Sequence, residues 1–160
     1  MTIRGALPAD CAALAAIEAA CFPPAEAAGP QSLAARLAAF PECFFLAEEG
    51  GGPIGFINGC VTDAPTISDE MFENAGLHRP GGAYQAVFGL DVLPAWRRRG
   101  VAAALMQALL AAARAAGRKG AILTCKKALI PYYERFGYRC QGVSASQHGG
   151  AVWYDMTLIF

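Results

Sequence analysis

A short apolar run that leads into a cluster of arginines, and then into a helix, constrains the fold of this chain most. Residues 90–93 have the composition of a β-strand, which Pro94 ends. Three arginines at 97–99 and Gly100 follow, and an alanine-rich segment typical of an α-helix begins there. A helix N-terminus presents unpaired N–H groups and the positive end of the helix dipole. We therefore expect this strand, turn and helix to bind a phosphate or pyrophosphate.

Composition and charge narrow the class of protein. The chain has 160 residues, of which 55% are hydrophobic and 16% are charged. This is typical of one compact domain, here residues 1–160, and not of a disordered chain. The formal net charge is zero, which disfavours a nucleic-acid partner. The longest apolar run, residues 101–113, is too short to span a membrane and is interrupted by Gln107.

The cysteines are scattered along the chain and never form a Cys-x-x-Cys pair. They are Cys11, Cys21, Cys43, Cys60, Cys125 and Cys140. This spacing disfavours a zinc cluster or a redox pair, so we expect no metal. No signal peptide is visible, and a domain of this size does not need disulfides. We therefore expect reduced thiols in a cytoplasmic protein.

Hydrophobic periodicity and turn residues predict a mixed α/β chain. Strands are predicted at residues 2–5, 44–48, 54–61, 84–92, 121–125, 138–141 and 152–158. Helices are predicted from residue 8, from residue 32, over 100–116 and over 129–136. Residues 64–82 are predicted to form a surface loop with one helical turn at 68–75. Strands and helices alternate in the middle of the chain, which favours a mixed sheet in an α/β (α+β) fold.

Two ordered motifs carry a resemblance to a known family. The pattern Arg97-x-x-Gly100-x-Ala102 after a strand resembles the acetyl-CoA motif of the GNAT superfamily of N-acetyltransferases. The block at residues 128–138, which ends in Phe-Gly-Tyr, is similar to the late helix-to-strand unit of that superfamily. The resemblance covers residues 3–156 and implies a mostly antiparallel seven-stranded sheet, a splayed central pair of strands and about four helices. In motif the chain is most similar to the serotonin (arylalkylamine) N-acetyltransferase branch.

The resemblance implies acetyl-CoA as the co-substrate. Backbone N–H groups at residues 98–102 would hold the pyrophosphate, and the arginines would add charge. Main-chain groups at residues 90–92 would pair with the pantetheine arm and polarise the thioester. The implied cofactor-binding residues are Leu90, Asp91, Val92, Arg97, Arg98, Arg99, Gly100, Val101, Ala102 and Tyr132. Strand alternation turns the Asp91 side chain away from its two neighbours.

The same resemblance assigns a general acid. Tyr133 occupies the place of the catalytic tyrosine of the superfamily within the 128–138 block. A phenol has a pKa of about 10 and a thiol of about 8.5, so the proton can pass between them. We expect Tyr133 to protonate the leaving thiolate, and the alternative is a residue that only packs.

The general base is not assigned by the resemblance. The arylalkylamine branch places two histidines where this chain has Ala86 and Phe88, and neither of these can titrate. The remaining candidates are His78, Asp63, Glu48 and Tyr84, or water alone. His78 is the first of them because an imidazole titrates near neutral pH. A structural hydrogen bond beside its turn is the alternative.

The acceptor pocket is expected opposite the CoA channel and is expected to be apolar. Its predicted lining is Phe22, Pro23, Phe56 and Phe88, with loop residues near Met71, Phe72 and Trp153. Each of these side chains could equally belong to the core.

The function implied by the resemblance is an acetyl-CoA-dependent N-acetyltransferase that acts directly on a primary amine of a small molecule. An arylalkylamine is one candidate substrate. A peptide or protein amine stays open, and so does a non-catalytic acyl-CoA-binding module, which the residues at 86 and 88 would fit. An unrelated nucleotide-binding protein is disfavoured because both glycine-rich phosphate motifs are absent. A homodimer also stays open.

Overall fold

The computed structural model describes residues 1–160, which form nine β-strands and five α-helices. The strands are β1 (Thr2–Gly5), β2 (Phe44–Glu49), β3 (Gly52–Asn58), β4 (Val61–Thr62), β5 (Tyr84–Val87), β6 (Gly89–Val92), β7 (Gly120–Cys125), β8 (Arg139–Val143) and β9 (Tyr154–Ile159). The helices are α1 (Cys11–Cys21), α2 (Pro30–Ala39), α3 (Asp69–Glu73), α4 (Val101–Ala115) and α5 (Ile130–Glu134). None of these helices combines the length and apolarity that a membrane crossing requires.

The strands lie in two sheets, which confirms the mixed α/β class and corrects the strand count. The first sheet has the order β1-β2-β3-β6 and is antiparallel throughout. The second has the order β4-β5-β7-β9-β8, with β5 and β7 as its parallel pair. Two parallel strands need a long crossover, and α4 supplies it. The predicted seven-stranded sheet is therefore a pair of sheets with nine strands between them.

The extra strands arise because two predicted strands each divide between the sheets. The predicted strand 84–92 breaks at Phe88 into β5 and β6, and the predicted strand 54–61 breaks after Asn58 into β3 and β4. The Phe88 N–H donates to the Asn58 carbonyl at 2.7 Å, so the two breaks face each other. A Cβ on Gly59 would lie 1.8 Å from the Ala86 carbonyl oxygen, so only glycine fits this close approach.

Helices cover both faces of the first sheet. On one face, α4 packs against β2, β3 and β6 through a buried stripe that includes Leu105, Met106 and Leu109. On the other face, α1 and α2 enclose a second apolar cluster that includes Leu14 and Leu33. The alanine-rich helix that the sequence predicts over 100–116 is confirmed as α4, and the predicted turn at 68–75 contains α3.

Replacing Gly59 by alanine tests the crossing of the two sheets. The new methyl group would overlap the Ala86 carbonyl, and we expect a loss of about 1–3 kcal/mol in the free energy of unfolding. Gly5→Ala is the matched control, because a Cβ at Gly5 has no neighbour within 4 Å. We expect that variant to stay within about 0.5 kcal/mol of the wild type in urea denaturation. Equal stability of the two variants would contradict the close approach.

Candidate active site

Two cavities open at the gap between β6 and β7, and they share part of their walls. The larger, here called the arginine cavity, has a volume of about 830 Å³ and is lined by Val92, Trp96, Arg97, Arg98, Gly100, Val101, Ala102, Ala103, Tyr132 and Arg135. The other, here called the aromatic cavity, has a volume of about 500 Å³ and is lined by Phe22, Pro23, Phe72, Phe88, His148 and Trp153, with Glu18, Glu26, Arg36 and Lys126. Five residues border both cavities: Cys21, Phe22, Leu90, Leu129 and Tyr133.

The edge of β6 that faces the gap carries unpaired backbone groups. The Leu93 N–H donates to the Ile54 carbonyl of β3. Hydrogen-bonding direction alternates along an antiparallel strand, so Leu90 and Val92 point their N–H and C=O groups away from β3. The Val92 carbonyl accepts instead from Arg97 Nε at 3.1 Å and from Cys21 Sγ at 3.3 Å. By the same alternation, the Leu90 N–H is directed into the gap where the two cavities meet.

The start of α4 has the geometry that an anion site requires. Gly100 has a φ of 81° and Arg98 a φ of 61°, which turn the chain tightly before the helix. The first helical hydrogen bond runs from Ala104 N–H to Gly100 O at 3.1 Å. The preceding N–H groups of the first turn therefore have no helical acceptor and are available to an anion.

The three arginines have different positions. Arg97 and Arg98 line the arginine cavity, and Arg97 also holds the Val92 carbonyl. Arg99 instead lies over the Trp96 ring, 5.1 Å from its centroid, and does not border the cavity. Of the three arginines expected to add charge at the phosphate site, Arg99 is therefore the one that does not line the cavity, and a cation–π contact holds it at Trp96.

Tyr133 lies on α5 at the junction of the two cavities. Its ring makes edge contacts with the rings of Tyr132 and Tyr138, at 5.3 Å and 6.1 Å between centroids. Desolvation raises the pKa of Tyr133 above the usual phenol value, and charge on Cys125 and Asp91 would raise it further. The side chain is therefore a neutral phenol at neutral pH, able to donate a proton. Tyr132 borders the arginine cavity alone.

Most of the predicted acceptor residues line the aromatic cavity, and Phe56 does not. Phe22, Pro23 and Phe88 border it, as do Phe72 and Trp153. Phe56 is fully buried and stacks on Phe44 at 5.7 Å between ring centroids. It belongs to the apolar cluster beneath α1 and α2, because its position on β3 turns it to that face.

The geometry does not support His78 as the general base. Its Nδ1 accepts the Val61 N–H at 3.0 Å, and its Nε2 lies 3.2 Å from a carboxylate oxygen of Glu42. The ring packs against Phe40, and burial lowers the pKa of His78. The side chain borders neither cavity. His78 therefore has the structural role that was the alternative interpretation.

The other sequence-based candidates for the base also lie away from the cavities. Asp63 accepts the Ala83 N–H at 3.1 Å, and Glu48 pairs with Arg4. Tyr84 lies on β5 and borders neither cavity. A base within the cavity walls must come from residues that the sequence reasoning did not select.

Two charged residues beside the aromatic cavity, Glu18 and Arg36, were missed, and a third, Asp91, was selected only for the cofactor strand. Glu18 on α1 is 5% exposed, Arg36 on α2 is 5% exposed, and Asp91 on β6 is fully buried. Burial and the neighbouring Glu18 carboxylate raise the pKa of Asp91 well above its ordinary value. Each residue interrupts an otherwise apolar helix face or strand, and a charged residue at such a position is the sequence feature that could have identified it. The Asp91 side chain faces α1, as strand alternation predicted, so only its backbone can contribute to the cofactor strand.

The loop between β8 and β9 covers the aromatic cavity. His148 on this loop stacks on Phe72 at 5.0 Å between centroids, and its Nε2 lies 2.9 Å from the Glu26 carbonyl. Lys126 Nζ contacts the Glu26 carboxylate at 3.0 Å. These contacts join the β8–β9 loop, the end of β7 and the α1–α2 loop across one side of the cavity.

An unpaired strand edge beside a helix N-terminus, with a neutral phenol between two cavities, is the arrangement of an acyltransferase that uses a CoA thioester. The model of the Acetyltransferase (GNAT) family matches residues 11–138. The chain belongs to that family.

Curated relatives support this assignment over part of their length. The chain is 31% identical to serotonin N-acetyltransferase of Mesocricetus auratus over 110 residues, which are 68% of this chain and 51% of that protein. The chain thus spans about half the length of the curated relatives it matches.

Solved structures share the fold over nearly the whole chain. The GphF GNAT-like decarboxylase in complex with isobutyryl-CoA superposes with a TM-score of 0.82 at 23% identity, covering 99% of both chains. Arabidopsis thaliana Naa50 in complex with the bisubstrate analogue CoA-Ac-MVNAL has a TM-score of 0.78 at 16% identity, covering 99% of this chain and 98% of that one. At these identities the likeness shows the fold alone.

A charge reversal at neighbouring arginines tests the anion site. Arg98→Glu places a negative charge in the arginine cavity, and we expect it to weaken CoA binding by at least about tenfold. Arg99→Glu changes the net charge equally but lies over Trp96, so we expect less than about a threefold change at physiological salt. Isothermal titration calorimetry with CoA measures both. Equal losses would show that bulk charge, and not this site, governs binding.

Proposed function

We propose that the protein transfers an acetyl group from acetyl-CoA directly to the primary amine of a small molecule. The observation that carries this proposal is the position of Tyr133 and Leu90 at the junction of the two cavities. A donor in one cavity and an acceptor in the other would meet at these two residues. Holding both reactants together supplies a large part of the rate acceleration.

The arginine cavity fits the phosphate end of acetyl-CoA. The free N–H groups at the start of α4 and the guanidinium groups of Arg97 and Arg98 match a diphosphate in charge and hydrogen bonding. The unpaired edge of β6 can bind the amide groups of an extended pantetheine arm as an added strand would. When bound, acetyl-CoA supplies the acyl carbon and a thiolate leaving group.

Two groups at the junction have the chemistry that acyl transfer requires. The Leu90 N–H can donate to the oxygen that gains charge on the acyl carbon. The Tyr133 phenol can give its proton to the departing thiolate. Desolvation raises the pKa of Tyr133, and it also raises the pKa of the Cys125 thiol in the neighbouring wall to about 11.

The aromatic cavity favours a small amine over a polypeptide. Its volume of about 500 Å³ is that of a typical small-molecule site. The contacts of Glu26 with Lys126 and His148 close one side, so a continuous polypeptide would have to break them to pass through. The walls contributed by Phe22, Phe72 and Trp153 suit an aromatic amine. The name of the Mesocricetus auratus relative, serotonin N-acetyltransferase, is consistent with an arylalkylamine.

Removal of the Tyr133 hydroxyl tests whether this residue is the general acid. In Tyr133→Phe we expect kcat to fall by about a hundredfold to ten-thousandfold while CoA affinity is kept, because the leaving thiolate loses its proton donor. In the wild type the alkaline limb of the kcat profile should lie above the ordinary phenol pKa of about 10, because burial raises the pKa of Tyr133.

Tyr138→Phe is the matched control for Tyr133→Phe. The Tyr138 hydroxyl contacts only Met106 Sδ, at 3.6 Å, and the residue borders neither cavity. We expect turnover within about twofold of the wild type, since a hydroxyl without a strong partner contributes little. Unchanged turnover of Tyr133→Phe across the pH range would remove Tyr133 from the mechanism.

A panel of acceptors tests the substrate class. We expect phenethylamine and tryptamine to release free CoA thiol at a higher kcat/KM than peptides with a free N-terminus, because the aromatic cavity is closed on one side. Thiol release with each acceptor and mass spectrometry of the products measure this. A preference for peptides would indicate that the aromatic cavity binds the N-terminus of a polypeptide. Tight CoA binding with no transfer to any amine would make the protein an acyl-CoA-binding module.

A further inference from the structure

A buried cluster of charged groups lies at the floor of the aromatic cavity, and the proposed function has not yet used it. Glu18 from α1, Arg36 from α2 and Asp91 from β6 converge there with Asn58 from β3. Four separate elements supply these side chains, so the cluster is not a local feature of one helix or turn. Burying charges at such a point is costly unless they are paired.

The cluster lies against Gly89, the residue before Leu90. A Cβ on Gly89 would lie 3.0 Å from Asp91 Oδ1 and 3.6 Å from both Glu18 Oε1 and Asn58 Nδ2. Gly89 and Glu18 both line the aromatic cavity. The Glu18 carboxyl therefore sits one residue along β6 from the backbone N–H proposed to bind the acyl oxygen. An amine positioned to attack the acyl carbon would approach from this side.

One oxygen of the Glu18 carboxyl is occupied and the other is not. Oε2 accepts the Ala28 N–H at 2.9 Å, which anchors the side chain to the α1–α2 loop. Oε1 has no hydrogen-bond partner and almost no surface accessible to solvent, even from the cavity, so an amine reaches it only after a small movement of the cavity wall. A buried acceptor without a donor costs free energy, and a proton shared with the unpartnered Asp91 carboxyl or a ligand in the cavity would offset that cost.

The charges of the cluster require one shared proton. Both carboxylate oxygens of Asp91 lack donors, while its neighbours are the carboxyl of Glu18, the thiol of Cys21 and the guanidinium of Arg36. Arg36 donates to Asn58 Oδ1 at 3.3 Å and to the Phe72 carbonyl at 3.0 Å, and it supplies one positive charge. One proton shared between the Asp91 and Glu18 carboxyl groups would balance that charge and provide a donor for the pair.

We infer that Glu18 is the general base that accepts the proton of the amine, and that Asp91 is the positioning residue that holds it ionised. The inference rests on the proposed function. As the amine nitrogen forms its bond to the acyl carbon, its proton passes to the Glu18 carboxylate. The carbon–sulfur bond breaks, and the thiolate takes the Tyr133 proton. Arg36 offsets the negative charge of the pair before the transfer.

Glu26, Glu73 and His148 also line the cavity, and two of them, Glu26 and His148, have competing contacts. The Glu26 carboxylate contacts Lys126, and His148 is fixed by the Glu26 carbonyl and the Phe72 ring. Both belong to the side that the β8–β9 loop covers, whereas Glu18 lies beside β6. Among the carboxylates that line the cavity, Glu18 alone has a free oxygen within 3.6 Å of the Gly89 Cβ position.

The first test compares two amines of different basicity in Glu18→Gln. With phenethylamine, which is an ammonium ion at neutral pH, we expect kcat/KM to fall by about a hundredfold or more. With trifluoroethylamine, which is largely unprotonated at neutral pH, we expect a loss of less than about tenfold, because little deprotonation is needed. A structural role would lower both rates equally, and that result would overturn the inference.

Two controls accompany Glu18→Gln. CoA affinity should stay within about twofold of the wild type, since Glu18 does not line the arginine cavity. Glu70→Gln removes the same charge from an exposed position on α3 and should leave both rates unchanged. If the wild-type protein transfers acetyl to no amine, the proposed function itself is refuted. Equal activity of the wild type and Glu18→Gln refutes only the assignment of Glu18 as the general base.

Variants of Asp91 test the inference even where Glu18→Gln does not fold. The side-chain amide introduced by Asp91→Asn can donate to Glu18 as a protonated Asp91 does, whereas the side chain introduced by Asp91→Leu cannot donate. We expect Asp91→Asn to be faster than Asp91→Leu by about tenfold or more, through the loss of one hydrogen bond to a charged group. Equal rates of the two variants would contradict the positioning role.

Infrared difference spectroscopy of the protein without substrates follows the shared proton. The wild type should show a protonated carboxyl band that persists at neutral pH, and Asp91→Asn should remove it. A wild-type spectrum without this band would overturn the assignment of the proton to the pair.

Discussion

The gap between β6 and β7 is the feature on which the site depends. Beyond Val87 and Leu123, β5 and β7 no longer pair, and the chain turns at Phe88 so that β6 joins the other sheet. A sheet edge is left open in the interior of the protein. Both cavities begin at this opening, and α4 starts just beyond the strand that borders it. Strand pairing elsewhere is complete enough to hold this single separation in place.

Opening a sheet exposes backbone groups that need other partners, and the protein supplies these selectively. The Phe88 N–H is satisfied by Asn58, and the Val92 carbonyl by Arg97 and Cys21. Only the part of β6 nearest the cavity junction lacks a protein partner, which is where a ligand would bind. An unpaired strand edge is a hazard on a protein surface. Here it lies within a cleft, where it can serve as a binding edge.

The sequence predicted the chemistry of the donor side better than that of the acceptor side. Gly100 and the residues after it predicted the helix N-terminus because local propensity alone determines it. The resemblance implied a splayed central pair of strands, but the break at Phe88 was not located because an apolar strand has the same pattern whether or not it changes partner. Phe56 was misplaced because an aromatic residue on a strand can face the core or a cavity equally well. His78 was selected for its ordinary pKa, although its contacts with Val61 and Glu42 become visible only in the fold.

The buried carboxyl of Asp91 connects the two ends of the proposed proton path. Negative charge on Asp91 would raise the pKa of Tyr133 further and make that phenol a weaker acid. Burial and the neighbouring Glu18 raise the pKa of Asp91 itself, so a proton on Asp91 also limits the negative charge near Tyr133. In this proposal β6 therefore supplies both the backbone edge for the acyl group and the Asp91 side chain. The protonation of Asp91 affects the proposed acid, Tyr133, and the proposed base, Glu18, together.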